Sequence, residues 1–102
     1  MVRVIADTTE IPRDKKVVID FFATWCGPCR QIAPYYEQMA QTFPGIVFLK
    51  ADVDEFGDPA GEFDVTMLPT FIFLNRGAVV ETVKGADINR VMKILGELEN
   101  AA

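Results

Sequence analysis

The sequence contains no histidine and only two cysteines among its 102 residues. Both cysteines lie in the short segment Cys26-Gly27-Pro28-Cys29. A zinc or iron–sulfur site normally uses four protein ligands, or three with an open position, and this pair supplies two. Carboxylates could complete a zinc site in principle, but nothing else in the sequence points to one. We therefore expect no metal and no bound cofactor.

A purely structural disulfide is also a poor use of this pair. The chain is 50% hydrophobic, enough to build a core for a single domain over residues 1–102 without a covalent staple. Closing a loop of about four residues removes only roughly 2 kcal/mol of unfolded-chain entropy, against about 4 to 5 kcal/mol for a long loop. A reactive thiol pair is the use that remains.

Other absences exclude further classes of function. No apolar run of signal-peptide length opens the chain, and charged residues recur too often for a membrane span. The net charge is −5 and the ten basic residues are scattered, which disfavours nucleic-acid binding. With only two cysteines, the composition is typical of a reducing compartment. We expect a cytoplasmic monomer that binds neither nucleic acid nor membrane.

Strand-like and helix-like segments alternate along the chain. Apolar runs predict strands over residues 2–6, 17–23, 46–51, 70–74 and 78–84. A three- and four-residue apolar spacing predicts a long helix after the cysteines, with Ile32, Tyr36, Met39 or Ala40, and Phe43 on one face. Asp58 and Pro59 open a short helix over residues 60–63, and Asp87 precedes a helix that buries Ile88, Val91, Met92, Leu95 and Leu98.

Two local signals refine the topology. Asn75-Arg76-Gly77 suits a hairpin turn, so the last two strands should be antiparallel. Asp7 and Glu10 have the spacing of a capping box, but Pro12 should stop that helix after about one turn. The order of elements predicts an α/β fold: a mixed sheet flanked by helices on both sides, with a shortened or irregular first helix.

The cysteine pair follows a buried strand and opens the long helix, so both residues should lie in its first turn. The positive end of a helix stabilises a thiolate, which lowers the pKa of Cys26 and makes it nucleophilic. A three-residue offset brings both sulfurs to one side of a helix. The spacing therefore predicts that Cys26 attacks a partner's disulfide and that Cys29 resolves the mixed disulfide. Cys26 should be exposed and Cys29 buried.

Asp20 is unexpected in an apolar strand. It shares a face with Val18 and Phe22, and carboxylates are rarely buried unless they are paired or used. Under the site, desolvation would raise its pKa and let it take the proton of Cys29. At a strand end open to water it would have no such role. The spacing leaves both possibilities open.

Five segments together resemble the thioredoxin family, in register over almost the whole chain: DFFAT, WCGPC, LKADVD, MLPTF and VKGA. The Gly-Pro between the cysteines matches thioredoxins rather than the Pro-Tyr of glutaredoxins or the Gly-His of protein disulfide isomerases. The resemblance implies a three-layer sandwich and a general protein-disulfide reductase with a dithiol/disulfide cycle. It also implies electrons from NADPH through the flavoprotein thioredoxin reductase, and disulfide-containing clients of the peroxiredoxin or reductase type.

The resemblance also implies roles for individual residues. Cys26 becomes the attacking thiol, Cys29 the resolving thiol and Asp20 the buried carboxylate beneath them, with Lys50 near enough to oppose the shift of its pKa. Pro69 matches the family's cis-proline, which shapes the loop so that the backbone near Leu68 pairs with a client strand. A flat apolar surface for docking is formed by Trp25, Gly27, Pro28, Met67, Leu68, Pro69, Gly85 and Ala86.

Several alternatives remain beside this interpretation. Pro69 could be a trans proline at the start of an edge strand, and Trp25 could pack in the core. An oxidase or isomerase variant would use the same thiols. A thioredoxin-like binding module would dock a partner through the same surface with the thiols incidental. Phe22 stands where many relatives have tryptophan, which we interpret as a packing change.

Overall fold

The computed structural model describes all of residues 1–102 and contains one mixed sheet of five strands. The strands are β1 Val2–Ile5, β2 Lys16–Phe22, β3 Val47–Asp52, β4 Thr70–Asn75 and β5 Ala78–Lys84. The α-helices are α1 Gly27–Thr42, α2 Pro59–Phe63 and α3 Ile88–Glu99. In the sheet the strands follow the order β1-β3-β2-β4-β5, with β1, β3 and β2 parallel and β4 and β5 antiparallel to their neighbours.

The first helix is reduced to a single 3-10 turn over Thr8–Glu10, as Pro12 and the short connection predict. The expected capping box is present: the Asp7 carboxylate accepts from the Thr9 backbone N–H, and the Glu10 carboxylate accepts from the Asp7 N–H. β1 pairs with β3 rather than with β2, so the connection over residues 6–15 crosses β3 to reach β2.

Two hydrophobic cores cover the two faces of the sheet, which confirms the predicted three layers. Helices α1 and α3 pack on one face, where Val18, Phe71 and Phe73 meet Tyr36 and Leu95. The 3-10 turn and α2 lie on the other face. There the core comprises Ile5, Ile11, Val17, Ile19, Phe21, Leu49, Ala51, Phe56, Ile72 and Leu74.

The buried face of α3 differs in part from the prediction. Val91, Leu95 and Leu98 are buried as expected, but Met92 is 38% exposed and Ile94 is buried instead. At about 100° per residue, Met92 lies roughly a quarter-turn or more from the centre of the buried stripe. The sequence pattern therefore predicted the buried stripe of α3 too wide on the side of Met92.

The hairpin between β4 and β5 is antiparallel as predicted. Its two turn residues, Arg76 and Gly77, have φ angles of 53° and 87°. Positive φ at both central positions is the geometry that matches the twist of paired strands.

The junction between β2 and α1 positions the cysteine pair. β2 is hydrogen-bonded to β3 on one side and to β4 on the other. The hydroxyl of Tyr36, one of the fully buried side chains, lies 2.7 Å from the Leu49 carbonyl oxygen and 3.2 Å from that of Val18. These contacts tie α1 to the two central strands, so the loop that begins α1 is held at the end of β2. None of the helices is both long enough and apolar enough to cross a membrane.

Candidate active site

The two cysteines form a disulfide at the start of α1. Their Cα atoms are 5.3 Å apart, within the usual span of such a bond. Cys29 lies in the first turn, but Cys26 is the N-cap, so the prediction that both lie inside the helix was wrong for Cys26. The Cys29 backbone N–H donates to the Cys26 sulfur at 3.2 Å. An N–H group of the first turn, which has no carbonyl partner within the helix, thus donates to the Cys26 sulfur.

The expected contrast in exposure between the two sulfurs is wrong for this disulfide form. Cys26 is 7% exposed and Cys29 is 4% exposed, so both are buried. Ala23 packs with the pair, and Phe22, Val53 and Leu68 cover it from the sides. The two cysteines differ instead in their surroundings. Cys26 lines a surface groove beside Trp25 and Leu68, whereas Cys29 is not part of its lining.

Asp20 is buried on the face of β2 that α1 covers, which rules out the strand end open to water. It is 1% exposed, and its Oδ1 atom has no hydrogen-bond partner. Burial raises its pKa from 3.8 to about 7, while the positive charge of Lys50 acts in the opposite direction. A buried carboxyl with a free oxygen is therefore able to gain and lose a proton near neutral pH.

Along β2, Asp20 lies between Val18, whose carbonyl oxygen is bonded by Tyr36 of α1, and the end of the strand that contacts the cysteine pair. Val18, two residues before it, lies under Tyr36, and Phe22, two residues after it, packs against the cysteines. Two residues along a strand span roughly 7 Å. Asp20 therefore lies beneath the first turns of α1, about one strand repeat from the residue that contacts the disulfide.

Lys50 lies opposite Asp20 in the register of β2 and β3, as the resemblance implies. Its side chain is half-buried, and its Nζ atom lies 4.5 Å from the centre of the Phe22 ring. An ammonium group above an aromatic ring is attracted by the ring's electrons. The phenylalanine at this position thus does more than fill space, because it holds the cation that faces Asp20.

Pro69 is preceded by a cis peptide bond, as the resemblance to the family predicts. Pro69 itself is buried, and its carbonyl oxygen accepts a 2.7 Å hydrogen bond from the Gly85 backbone N–H. The buried Thr70 hydroxyl donates to the Met67 carbonyl oxygen at 2.6 Å. These bonds fasten residues 67–70 to the end of β5, beside the disulfide.

The residues expected to dock a client lie around the pair in two groups. Trp25 is 67% exposed and Met67 is 49% exposed, so the alternative of a core tryptophan is wrong. These two residues line the surface groove, hereafter the Trp25 groove, together with Cys26, Val53, Val65 and Leu68. Pro28 and Ala86 line a second cleft, hereafter the Tyr35 cleft.

The two glycines of the expected surface lie at its edges. Gly27 is the first residue of α1 and is half-buried. Gly85 has a φ of 99°, a conformation that favours glycine, and is also half-buried. A Cβ atom there would lie 3.6 Å from the Cε atom of Met67, an ordinary contact distance, so the backbone conformation and not a lack of space favours glycine at this position.

Two residues of the site escaped the sequence analysis. The Asp54 carboxylate accepts a 3.0 Å hydrogen bond from the Trp25 indole N–H and so orients the exposed ring. Tyr35, 52% exposed, lines the cleft on the other side. Asp54 is 29 residues from its partner, and no local pattern signals such a contact. The apolar spacing of the helix singles out Tyr36 as a core residue and gives no signal for the neighbouring Tyr35.

The structure contains no cluster of three or more Cys, Asp or Glu side chains able to hold a metal ion. A disulfide beside a surface groove, with a buried titratable carboxyl on the adjoining strand, fits thiol–disulfide exchange. The fold and the site thus define a thiol–disulfide oxidoreductase.

Comparison with known proteins identifies the family. The profile of the family described as thioredoxin matches residues 5–97. The chain belongs to the thioredoxin family.

Individual relatives agree with this assignment. Thioredoxin-1 of Caenorhabditis elegans is 50% identical over 72 residues, which are 71% of this chain but 63% of that relative, less than two thirds of its length. The solved structure of Plasmodium falciparum thioredoxin superposes with a TM-score of 0.86 at 34% identity, covering 93% of this chain and 97% of that one. A chain solved in a study of the thiol resolving mechanism in yeast mitochondrial 1-Cys peroxiredoxin via glutathione/thioredoxin systems has a TM-score of 0.81 at 34% identity, covering 91% and 94%.

Replacing Asp20 by asparagine should stabilise the oxidised protein at neutral and higher pH. The folded protein holds the Asp20 proton up to a pKa of about 7, whereas the unfolded chain releases it near 3.8. Wild-type stability should therefore fall as the pH rises from about 4 to 7, by roughly 4 kcal/mol at most. Asp20→Asn removes this loss. Urea unfolding of both proteins between pH 4 and 8 measures the difference.

Asp14→Asn, at an exposed position, serves as the control and should change the free energy of unfolding by less than about 0.5 kcal/mol. A stability gain for Asp20→Asn that is the same at pH 4 and pH 8 would contradict a burial-raised pKa.

Proposed function

We propose that the protein is a general protein-disulfide reductase that cycles between a Cys26/Cys29 dithiol and the disulfide. One observation carries the proposal: Cys26, which lines the groove, is disulfide-bonded to Cys29, which does not, and the strand that leads to them carries an ionisable buried carboxyl. Membership of the thioredoxin family supports the same activity.

In the first step the Cys26 thiolate attacks one sulfur of a client disulfide. The client's S–S bond breaks, its other sulfur leaves with the electron pair, and a mixed disulfide joins Cys26 to the client. The helix start favours the thiolate, because the Cys29 N–H points at the Cys26 sulfur and the positive end of α1 lies there.

In the second step Cys29 resolves the mixed disulfide. The Cys29 thiol gives its proton to the Asp20 carboxylate and attacks the Cys26 sulfur, and the client's remaining sulfur leaves as a thiolate. Two electrons have then passed to the client, and this chain holds the Cys26–Cys29 disulfide. With a pKa of about 7, Asp20 is matched to accept a proton near neutral pH, and Lys50 keeps that pKa from rising further.

A client docks by laying a short extended segment along the loop at Pro69. The cis bond and the ties to Gly85 and Thr70 hold the backbone near Leu68 beside the disulfide, where it is able to pair with a client strand. The apolar surface around it comprises Trp25, Gly27, Pro28, Met67, Leu68, Pro69, Gly85 and Ala86.

Electrons return to the disulfide from NADPH through the flavoprotein thioredoxin reductase, with no cofactor bound to this chain. Family membership supports this route. The yeast comparison, which concerns a peroxiredoxin, supports peroxiredoxin-type clients alongside reductase-type ones. Residues 1–102 act as a single domain and a monomer in the cytoplasm, where a protein whose two cysteines are both reactive is kept reduced.

The reduction potential of the pair should lie near that of a reductase. Trp25 is the only tryptophan and precedes Cys26 directly, so its fluorescence should follow the redox state. Titration in dithiol/disulfide buffers should give a value near about −270 mV, the reference for thioredoxin itself. A value near about −180 or −120 mV would instead indicate an isomerase or an oxidase.

Single-cysteine variants should separate the two thiols. Cys29→Ser should accumulate clients as mixed disulfides on Cys26, because the resolving thiol is missing, whereas Cys26→Ser should trap none and lose all turnover. Insulin reduction and non-reducing gels measure both effects. If Cys26→Ser kept its partners and its biological activity, the binding-module alternative would replace this proposal.

Asp20→Asn should slow the resolution of the mixed disulfide at pH 7 by roughly tenfold or more, because positioned proton acceptors commonly contribute that much. Client affinity should be unchanged, since Asp20 is buried away from the surface. Stopped-flow kinetics between pH 6 and 9 should show the deficit narrowing as hydroxide removes the Cys29 proton. Asp14→Asn is the control, and an unchanged rate for Asp20→Asn would remove Asp20 from the proton transfer.

A further inference from the structure

The negative charge of this protein is concentrated in one short segment. The chain carries fifteen acidic and ten basic residues, for a net charge of −5. Residues 51–64 contain no basic residue and six acidic ones: Asp52, Asp54, Glu55, Asp58, Glu62 and Asp64. The rest of the chain therefore has nine acidic and ten basic residues and is nearly neutral. We call residues 51–64 the acidic segment.

The acidic segment borders the Trp25 groove. Val53 and Pro59 line the groove from within it, and Val65 lies directly after it. The Asp54 carboxylate is at the groove's edge, because it accepts the hydrogen bond from the Trp25 indole. The carboxylates lie outside the lining itself: Asp54 is at the edge of the groove, and Asp52 and Asp58 are next to the lining residues Val53 and Pro59 in the chain.

Most of this charge is not neutralised within the protein. Asp64 forms an ion pair with Lys84 at 3.4 Å, and no other acidic residue of the segment has a basic partner within bonding distance. Glu55, Asp58 and Glu62 are exposed. The one lysine nearby in sequence, Lys50, has its Nζ atom over the Phe22 ring and forms no ion pair with the segment.

The Tyr35 cleft, on the other side of the site, differs from the Trp25 groove in the charges beside it. Neither lining contains a charged side chain, and that of the cleft consists of Pro28, Gln31, Ile32, Tyr35, Ala86 and Ile88. The charged residues next to these in the chain, Arg30 and Asp87, have opposite signs, whereas those next to Val53 and Pro59 in the groove are all acidic. The charge beside the Trp25 groove is therefore of one sign, and the charges beside the cleft offset each other.

We propose that the Trp25 groove and the acidic segment select client proteins whose disulfide is flanked by apolar and basic residues. This inference rests on the proposed reductase function and specifies its substrates. Lysine and arginine side chains can lie along an apolar floor with their stems while their charged ends reach carboxylates at the rim. A wall of one sign also steers oppositely charged partners and slows like-charged ones. The partner that complements this surface is thus a cationic segment around a disulfide.

Two disulfide-bridged peptides test the proposal. They share length, loop and apolar residues, and differ only in carrying lysines or glutamates beside the cysteines. At about 10 mM ionic strength, where charges act over roughly 30 Å, the reduced protein should reduce the lysine peptide at least about tenfold faster. At about 150 mM the ratio should shrink, because the field is screened within about 8 Å.

A matched pair of triple variants locates the effect. Glu55→Gln with Asp58→Asn and Glu62→Gln, hereafter the groove variant, removes three exposed charges of the acidic segment, and asparagine keeps the oxygen that caps α2. Asp14→Asn with Glu37→Gln and Glu97→Gln removes three exposed charges elsewhere. The two variants have the same net charge.

The groove variant should lose most of the preference for the lysine peptide, and the control variant should retain it. Equal rates for both peptides with the wild-type protein would overturn the inference while leaving the reductase function intact. So would an equal loss in both variants, which would indicate net charge rather than the groove. Reduction of neither peptide would overturn the proposed function and this inference with it.

Discussion

The attachment of α1 to the central strands β2 and β3 is the contact on which the site depends. β2 is paired on both edges and almost wholly buried, which makes it the most constrained segment of the chain. The buried Tyr36 hydroxyl holds α1 against the carbonyl oxygens of this strand and its neighbour. Because the helix cannot slide along the sheet, its first turn stays at the end of β2. The disulfide, the helix N-terminus and the strand that carries Asp20 therefore keep one arrangement.

Asp20 shows how the fold gives up stability for chemistry. An apolar residue at this position would pack in the core between the sheet and α1, whereas the carboxylate is desolvated and lacks a partner at one oxygen. The cation opposite it offsets only part of that cost, since its pKa still rises to about 7. Local violations of packing rules are common at functional sites, and here the violation leaves a carboxyl whose pKa is near neutral pH, as the proposed proton transfer requires.

In our proposal, the surface around the disulfide binds clients in two ways, one that is independent of the client's sequence and one that depends on its charge. In the proposed function, the loop at Pro69 offers backbone groups that any extended client segment can meet, so it does not discriminate between sequences. The Trp25 groove adds an apolar surface bordered by residues 51–64, whose carboxylates, apart from that of Asp64, form no ion pair. In our proposal, thiol–disulfide exchange, which many proteins perform, is combined with an electrostatic field that depends on residues 51–64 of this chain. Charge of this kind acts on encounter rates more than on the chemical step.

Much of the fold could be predicted from local patterns. The positions of the strands, the hairpin at Arg76 and Gly77, the 3-10 turn cut short at Pro12 and the three layers all follow from apolar period and turn residues. Errors arose at boundaries, as at Cys26, which caps α1 rather than joining it, and at Met92, which lies just off the buried stripe. Periodicity gives the direction of a helix face but not its width, because the width depends on what packs against it.

By itself, the sequence determined the spacing of the two thiols, the face of β2 on which Asp20 lies and the excess of acidic residues after β3. These are properties of chain order and of the two-residue period of a strand. Tertiary structure alone decided that Asp20 is fully desolvated, that Asp54 orients Trp25 across 29 residues, and that the acidic segment borders the Trp25 groove. Solvent access and contacts between distant segments depend on how the layers pack in three dimensions, and no local pattern of residues encodes them.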